Sequence, residues 1–598
     1  MGEPLLMTDG TVLVLHPNSS DCWKLTPDIN GNYQTGTWTQ LASLPSGYGP
    51  LYYASAVLAD GRVVVMGGEY NESTSGVWTN LGAIYDPVAN VWTPLTAPAS
   101  WPNIGDAQCT VLPNGQFVMA NPYDGGMAVL DPTTLAFTLL NGTGKADGYD
   151  EEGWVLLADG TILTIDVSNG MNGERYIPSL DQWIPAGASP VGLTQSSEIG
   201  PSVLRPDGTV FAMGASGHNA IYTPPTNLMD PGSWVAGPDF PVISGKQVDI
   251  ADGPSCVLPS GNVLCQASPG VYNAPSYFFE FTGTTLTQVA SPGNAGTDPS
   301  YVGNMLMLPS GQVFYTDFSG AAWIYTPSGT PQTSWLPTIT TSPSFVAQGQ
   351  TYLVSGTQFN GLTQCSGYGD DSTNATNYPI VRIKNNTTGH VFYCRTHNHS
   401  TMGVATGATP VSTSFDVPTT VETGASTLVV VANGIASAPQ AISVVPAHTV
   451  LPSAYSLFRG VLSAGSLSSL YFADGNTLQV LIGPTLNTSE SPIQVVSTGL
   501  SPTLTPTSIK ITVRSAVNTP GTSETIALWD YATSAYVTVD SRPMTTTYQT
   551  VTVTVPGNAS DYIGAGGAIQ AKVSYAQTGP TIVNRWQANV DMINWMIQ

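Results

Sequence analysis

Seven times between Leu5 and Phe314 the chain repeats one short phrase: a few apolar residues, a polar residue followed by glycine, and a second apolar run. The pairs are Asp9-Gly10, Asp60-Gly61, Asn114-Gly115, Asp159-Gly160, Asp207-Gly208, Ser260-Gly261 and Ser310-Gly311, with successive glycines 45 to 54 residues apart. A polar residue and glycine between apolar runs predicts a two-residue hairpin, because both positions of such a turn favour positive φ. Recurrence at this period predicts an array of like units rather than one continuous core.

The rest of each unit supports that reading. After the hairpin come a tyrosine or leucine, a turn proline and a late bulky residue: Tyr85-Asp86-Pro87 before Trp92, Leu130-Asp131-Pro132 before Phe137, Tyr222-Thr223-Pro224 before Trp234, and Tyr325-Thr326-Pro327 before Trp335. Each unit is then about four strands, a blade that cannot bury both faces alone and must stack on its neighbours. The expected fold over residues 1–337 is a seven-bladed kelch-type β-propeller. The plainer alternative, a β-sandwich with coincidental turns, is disfavoured by seven evenly spaced copies.

Past Trp335 the pattern changes. With only 9% charged residues, 62 Gly and 47 Pro, and no sustained helical spacing, the whole chain reads as all-β. Apolar runs near Tyr352, Ile380–Lys384 and Thr427–Ala432 predict an immunoglobulin-like β-sandwich over 338–446. Alternating runs such as Ile509–Arg514 and Thr550–Val555 predict a C-terminal jelly-roll-like β-sandwich over 453–598.

A net charge of −24 argues against nucleic acid and anionic membrane as partners. No stretch of about 18 apolar residues occurs, so no membrane span is expected. No signal peptide precedes the first hairpin, which predicts a mature or trimmed chain. Few Lys and Arg, 15 in all, and sequons at Asn18, Asn71, Asn141, Asn374, Asn398, Asn487 and Asn558 point to the extracellular side or the cell surface. Cys256 and Cys265 flank one turn, and Cys365 and Cys394 fall in one later domain; both pairs are disulfide candidates. Cys22 and Cys109 have no evident mates and are expected as buried thiols.

A propeller followed by an immunoglobulin-like module resembles the galactose oxidase and glyoxal oxidase family of copper radical enzymes. The resemblance spans about residues 1–445 and is carried by Tyr52 to Val63 and by Ser426 to Pro439. It implies a copper ion held by two tyrosines and two histidines, one tyrosine being cross-linked to a cysteine. The cross-linked tyrosine falls on Tyr52, its covering aromatic on Tyr70, the axial tyrosine on Tyr301 and the second histidine on His397, with His399 as a near alternative. The first histidine falls on Val302, and the cysteine falls at or before Met1, where none stands. The expected copper set is therefore degenerate. Metal held by His397, His399, Tyr52 and Tyr301 stands against tyrosines that only pack at the propeller centre and a polar histidine loop at its base.

At positions matching Tyr52 in other units stand Asp106, Glu151 and Asp252, with Glu198 close by in its own unit. First strands of a propeller converge on its axis, so these carboxylates are expected to ring one mouth of the channel. Three roles remain open: bracing backbone amides, contacting sugar hydroxyls, or holding a hard cation such as Ca²⁺. Asp370-Asp371 is a second acidic loop of the same kind.

Three functional classes follow. The first is an extracellular non-catalytic binding protein recognising a glycan or another surface partner. The second is a divergent copper oxidase of sugar alcohols or aldehydes. The third is a structural subunit of a cell-surface or virion assembly, oligomeric or polymeric, with contacts from the C-terminal sandwich.

Overall fold

The computed structural model describes residues 1–73, 75–364, 366–367 by backbone only, 375–485, 489–577 and 585–598. Among these residues every regular element is a β-strand or a short 3₁₀ turn. The chain divides into two compact units, Met1–Val444 and Val445–Gln598.

In the first unit the strands from Pro4 to Tyr325 form seven main sheets in chain order, each antiparallel and up-and-down. Six take four strands from this span, the second of them skipping Tyr70–Asn71, which pairs with Pro50–Leu51, and the last, within Asn304–Tyr325, has three. The second strands, such as Val12–Leu15, Val63–Met66 and Val210–Met213, are buried at every position. That is why they read as unbroken apolar runs rather than as alternation: sheets stacked on both faces leave neither face to water.

The first strands are Pro4–Leu6, Ala54–Val57, Cys109–Val111, Val155–Leu156, Ser202–Leu204, Ser255–Val257 and Asn304–Met307. They lie side by side: first by second, second by third, fourth by fifth, fifth by sixth, sixth by seventh, and seventh by first. The return from seventh to first is sealed by hydrogen bonds. Phe318 N donates to Met1 O at 2.9 Å, Thr316 Oγ1 to Gly2 O at 2.8 Å, and the Met1 ammonium to Ser319 O.

The recurring turn differs from the expected two-residue hairpin. In the first copy Gly10 N donates to Met7 O at 2.9 Å and Met7 N to Thr11 O at 2.8 Å, so the loop holds three residues. Only the glycine has positive φ, 75° at Gly10 and 86° at Gly61; the polar residue before it does not. This is a type I turn closed by a left-handed residue. The polar residue acts through its side chain: Asp9, Asp60, Asn114, Asp159 and Asp207 each accept at 3.0 Å from the amide two residues on. The late bulky residue has an equally specific partner. Trp92 stands directly across from Tyr85, Trp183 from Tyr176 and Trp234 from Tyr222, with ring centroids 5.0, 5.3 and 4.8 Å apart.

From Thr338 to Val445 the strands join one sheet path whose core includes Val354, Phe359, Val381, Phe415 and Leu428. Part of this region reaches into the ring. Ser366–Gly367 pairs with Ser255–Cys256 on the edge opposite Val263–Ala267, Gln364 bridges to Leu204 and accepts from Leu156 N, and Tyr378 donates to Leu6 O. In the second unit a six-stranded and a five-stranded sheet share a core containing Val513, Ile526, Val573, Trp586 and Trp595.

The expected Cys256–Cys265 disulfide does not form. Cys256 stands opposite Leu264 and Cys265 opposite Ser255, so the two side chains leave opposite faces of the hairpin. Cys265 instead lies 3.4 Å from Met213 Sδ. Cys394 is a buried thiol, and Cys365 falls outside the described residues, as do Asp370, Asp371, Asn374 and Asn487. Cys22 and Cys109 are buried thiols.

Candidate functional site

The repeated turn places a set of side chains at the start of the first strands. Tyr52, Asp106, Glu151 and Asp252 each stand eight residues ahead of the polar turn residue of their own sheet. At three of these positions the backbone is left-handed, with φ of 53° at Tyr52, 56° at Glu151 and 47° at Asp252. That conformation costs a non-glycine residue about 1–2 kcal/mol, and it turns the side chain away from the strand just before the strand begins.

The outcome is a shared cavity of about 240 Å³. Tyr52, Asp106, Glu151, Glu198, Asp252 and Tyr301 all line it, so the six residues expected at the ring centre meet there. Three further lining residues were not among those expected to ring the mouth: Glu69, Tyr70 and Tyr272. Glu69 and Tyr272 follow the second strands of their sheets, Val63–Met66 and Val263–Ala267, and so belong to the strand-to-strand connections at the same end of the ring. Tyr70 meets Tyr52 edge-on at 5.9 Å, and Tyr272 meets Tyr301 edge-on at 5.4 Å.

Carboxylates dominate the electrostatics. Burial, then the charge of Glu198, pushes the Glu69 carboxyl above its ordinary range. Tyr272 donates to Glu198 Oε1; burial and this bond raise the phenol well above its usual range. Glu198 is only 6% exposed, and its second oxygen, Oε2, has no hydrogen-bond partner. One oxygen each of Glu151, Glu198 and Asp252 lies within 4.8 Å of the others. No Lys, Arg or His is among the described lining residues.

An aromatic pair stands beside this cavity. Trp78 and Tyr123 pack at 4.9 Å and are 46% and 45% exposed. Tyr123 feels the charges of Asp106 and Glu69, and Val77 N donates to Glu69 O at 2.9 Å, which ties both rings to the cavity wall.

His397 and His399 do not join Tyr52 and Tyr301. They end the strand Val391–His397 and follow it, where the chain packs on the opposite, turn-bearing end of the ring: Thr396 N donates to Thr8 O, His399 N to Ala59 O and Arg395 Nη2 to Asp60 O. His397 Nε2 lies 3.1 Å from Asp416 Oδ1. His399 stacks on Tyr378 with Nδ1 at 2.9 Å from Thr413 Oγ1, and burial lowers its pKa to about 3. The expected four-residue metal set is thus split between the two ends of the ring.

The copper centre implied by the family resemblance does not fit these residues. With Val302 where an imidazole would stand and both candidate histidines elsewhere, the described donors at the cavity are phenol and carboxyl oxygens. Such an all-oxygen set suits hard cations, whereas copper(II) takes nitrogen donors beside its oxygens, and no imidazole stands among the described lining residues.

A second acidic cluster escaped the sequence reading. Lys145, with a side chain 5% exposed, reaches Glu152 at 2.7 Å, Asp166 at 3.3 Å, Glu174 at 2.7 Å and also Asp147. Its Nζ lies 5.6 Å from the ring centroids of both Tyr149 and Trp183. Here the chain supplies its own cation.

Comparisons with known proteins were narrow. No family model matches the chain. Kelch-like protein terF of Aspergillus terreus is 30% identical over 125 residues, 21% of this chain and 22% of that protein, so the chain spans about a fifth of the length of this curated relative. Among solved structures, the extracellular domain of a putative one-component system of B. thetaiotaomicron aligns with 74% of this chain and 55% of its own, at TM-score 0.37 and 11% identity. An auxiliary nutrient binding protein of Bacteroides thetaiotaomicron aligns at TM-score 0.30 and 10% identity over 50% of this chain and 81% of its own. An exo-β-1,3-galactanase of Phanerochaete chrysosporium aligns at TM-score 0.23 and 10% identity over 98% of this chain and 100% of its own. No helix is long and apolar enough to cross a membrane among the described residues.

Proposed function

We propose that this chain is an extracellular, non-catalytic binding protein whose central cavity takes a polyhydroxylated ligand, a glycan in the first instance. In this reading the seven sheets form a seven-bladed kelch-type propeller over 1–337, followed by an immunoglobulin-like domain at 338–446 and a sandwich at 453–598. The observation that carries it is the lining: acids able to accept from sugar hydroxyls, tyrosines from three sheets, and the exposed Trp78–Tyr123 pair beside them. Flat aromatic faces cover the apolar face of a pyranose, while carboxylates take its hydroxyls. The oxidase reading is disfavoured by the absent imidazole donors.

A glycan array, followed by calorimetry on the hits, tests this. Trp78→Ala and Tyr123→Ala are each expected to weaken binding roughly tenfold, about 1.4 kcal/mol, without changing the melting temperature by more than a degree or two. A silent array, or affinity indifferent to both substitutions, sinks the glycan reading.

A further inference from the structure

Two clusters of three acids in the described residues bring carboxylate oxygens within 4.8 Å of one another: Asp147, Asp166 and Glu174, and Glu151, Glu198 and Asp252. The chain treats them differently. In the first, the Lys145 ammonium sits among the carboxylates. The second has the same density of acids and no cationic side chain among the described residues lining its cavity. Glu69 and Asp106 add two more acids to that wall.

Acids alone do not make a site, since clustered carboxylates also share protons or take amide donors. The independent observation is Glu198. It is 94% buried by its 6% exposure, its Oε1 is taken by the Tyr272 hydroxyl, and its Oε2 has no partner while the residue lines the cavity. A buried carboxylate oxygen without a donor is costly unless something positive faces it. The donor type fits a hard cation: carboxylate oxygens without nitrogen or sulfur are what Ca²⁺ takes, about six to eight at a time in flexible geometry, whereas Mg²⁺ demands a near-ideal octahedron and keeps several of its waters.

We propose that Glu151, Glu198 and Asp252 hold a calcium ion in the central cavity. The three residues stand just ahead of the first strands of three successive sheets, Val155–Leu156, Ser202–Leu204 and Ser255–Val257, so the ion ties the fourth, fifth and sixth sheets together at the axis. The remaining coordination positions open toward the cavity, where water or ligand hydroxyls complete the shell. The cation site is measured without any sugar, so its failure and the failure of the glycan reading are separable.

The experiment is a Tb³⁺ titration of the full chain after chelator treatment, exciting the aromatic residues and reading sensitised terbium emission. Tyr272 and Tyr301, on the cavity wall, are the expected antennae. One saturable component is expected, displaced by Ca²⁺ at micromolar to millimolar concentration and by Mg²⁺ only at much higher levels. Glu198→Gln and Glu151→Gln should each weaken Ca²⁺ at least tenfold, and the exposed-loop control Glu72→Gln should not. Wild-type melting is the second readout, independent of how the variants fold: saturating Ca²⁺ should raise the melting temperature relative to chelator. No calcium-dependent rise, or emission that Glu198→Gln and Glu151→Gln both leave unchanged, overturns the proposal.

Discussion

Lys145 shows what one residue is asked to do in this chain. Four carboxylates share its ammonium, so the cluster carries excess negative charge in a buried place, and burial together with the neighbouring Glu174 pushes the Asp166 carboxyl up to about 7. The folded form therefore holds a proton that the unfolded chain releases near pH 4. Stability from this group is full below that pH and is lost as pH rises through about 7. Urea melts should show a decline between about pH 4 and pH 7 that Asp166→Asn flattens. Lys145→Met should cost about 3–5 kcal/mol, since it strands several buried acids. None of this was legible in the sequence, because Lys145, Asp147, Glu152, Asp166 and Glu174 are scattered over a sheet and look like ordinary surface charges until folding gathers them. Tyr52, Asp106, Glu151 and Asp252 were legible because a fixed distance from a recognisable turn fixes where each side chain emerges.

At the level of the element, the glycine of the turn is the constraint that made the fold readable. Its φ near 80° is costly for other residues, so the position cannot drift and the period shows through. The copies are not equivalent, however. A Cβ on Gly10 would lie 2.5 Å from Tyr393 Cγ, whereas Gly208 has nothing within 4 Å. Gly208→Ala should cost about 1–2 kcal/mol from backbone strain alone. Gly10→Ala should cost clearly more, as steric overlap with a packed ring is added, and equal denaturation midpoints for the two variants would refute this account. Glu69 and Tyr272 went unseen because they lie in connections whose lengths vary between sheets, where no ruler applies. The misplacement of His397 and His399 has a related cause: the chain that reaches the inner strands carries Gln364, Ser366 and Tyr378, and that insertion leaves no periodic trace.

For the whole molecule, the division at Val444 and Val445 separates two cores with no shared members. Residues 445–598 bury Trp586, Trp595 and Tyr575 within their own two sheets. Expressed alone, that segment should unfold in one cooperative transition at the temperature of one of the transitions of the full chain; a fragment without a thermal transition would show that the second unit depends on the first. In the first unit, the strand Ser366–Gly367 occupies the inner edge of the sixth sheet, while Gln364 engages the fourth and fifth and Tyr378 the first. For the ligand proposed above, a ring whose inner strands are engaged by its own chain serves as a socket rather than a conduit. Entry and exit then share one mouth, and residence time follows from how tightly the wall grips.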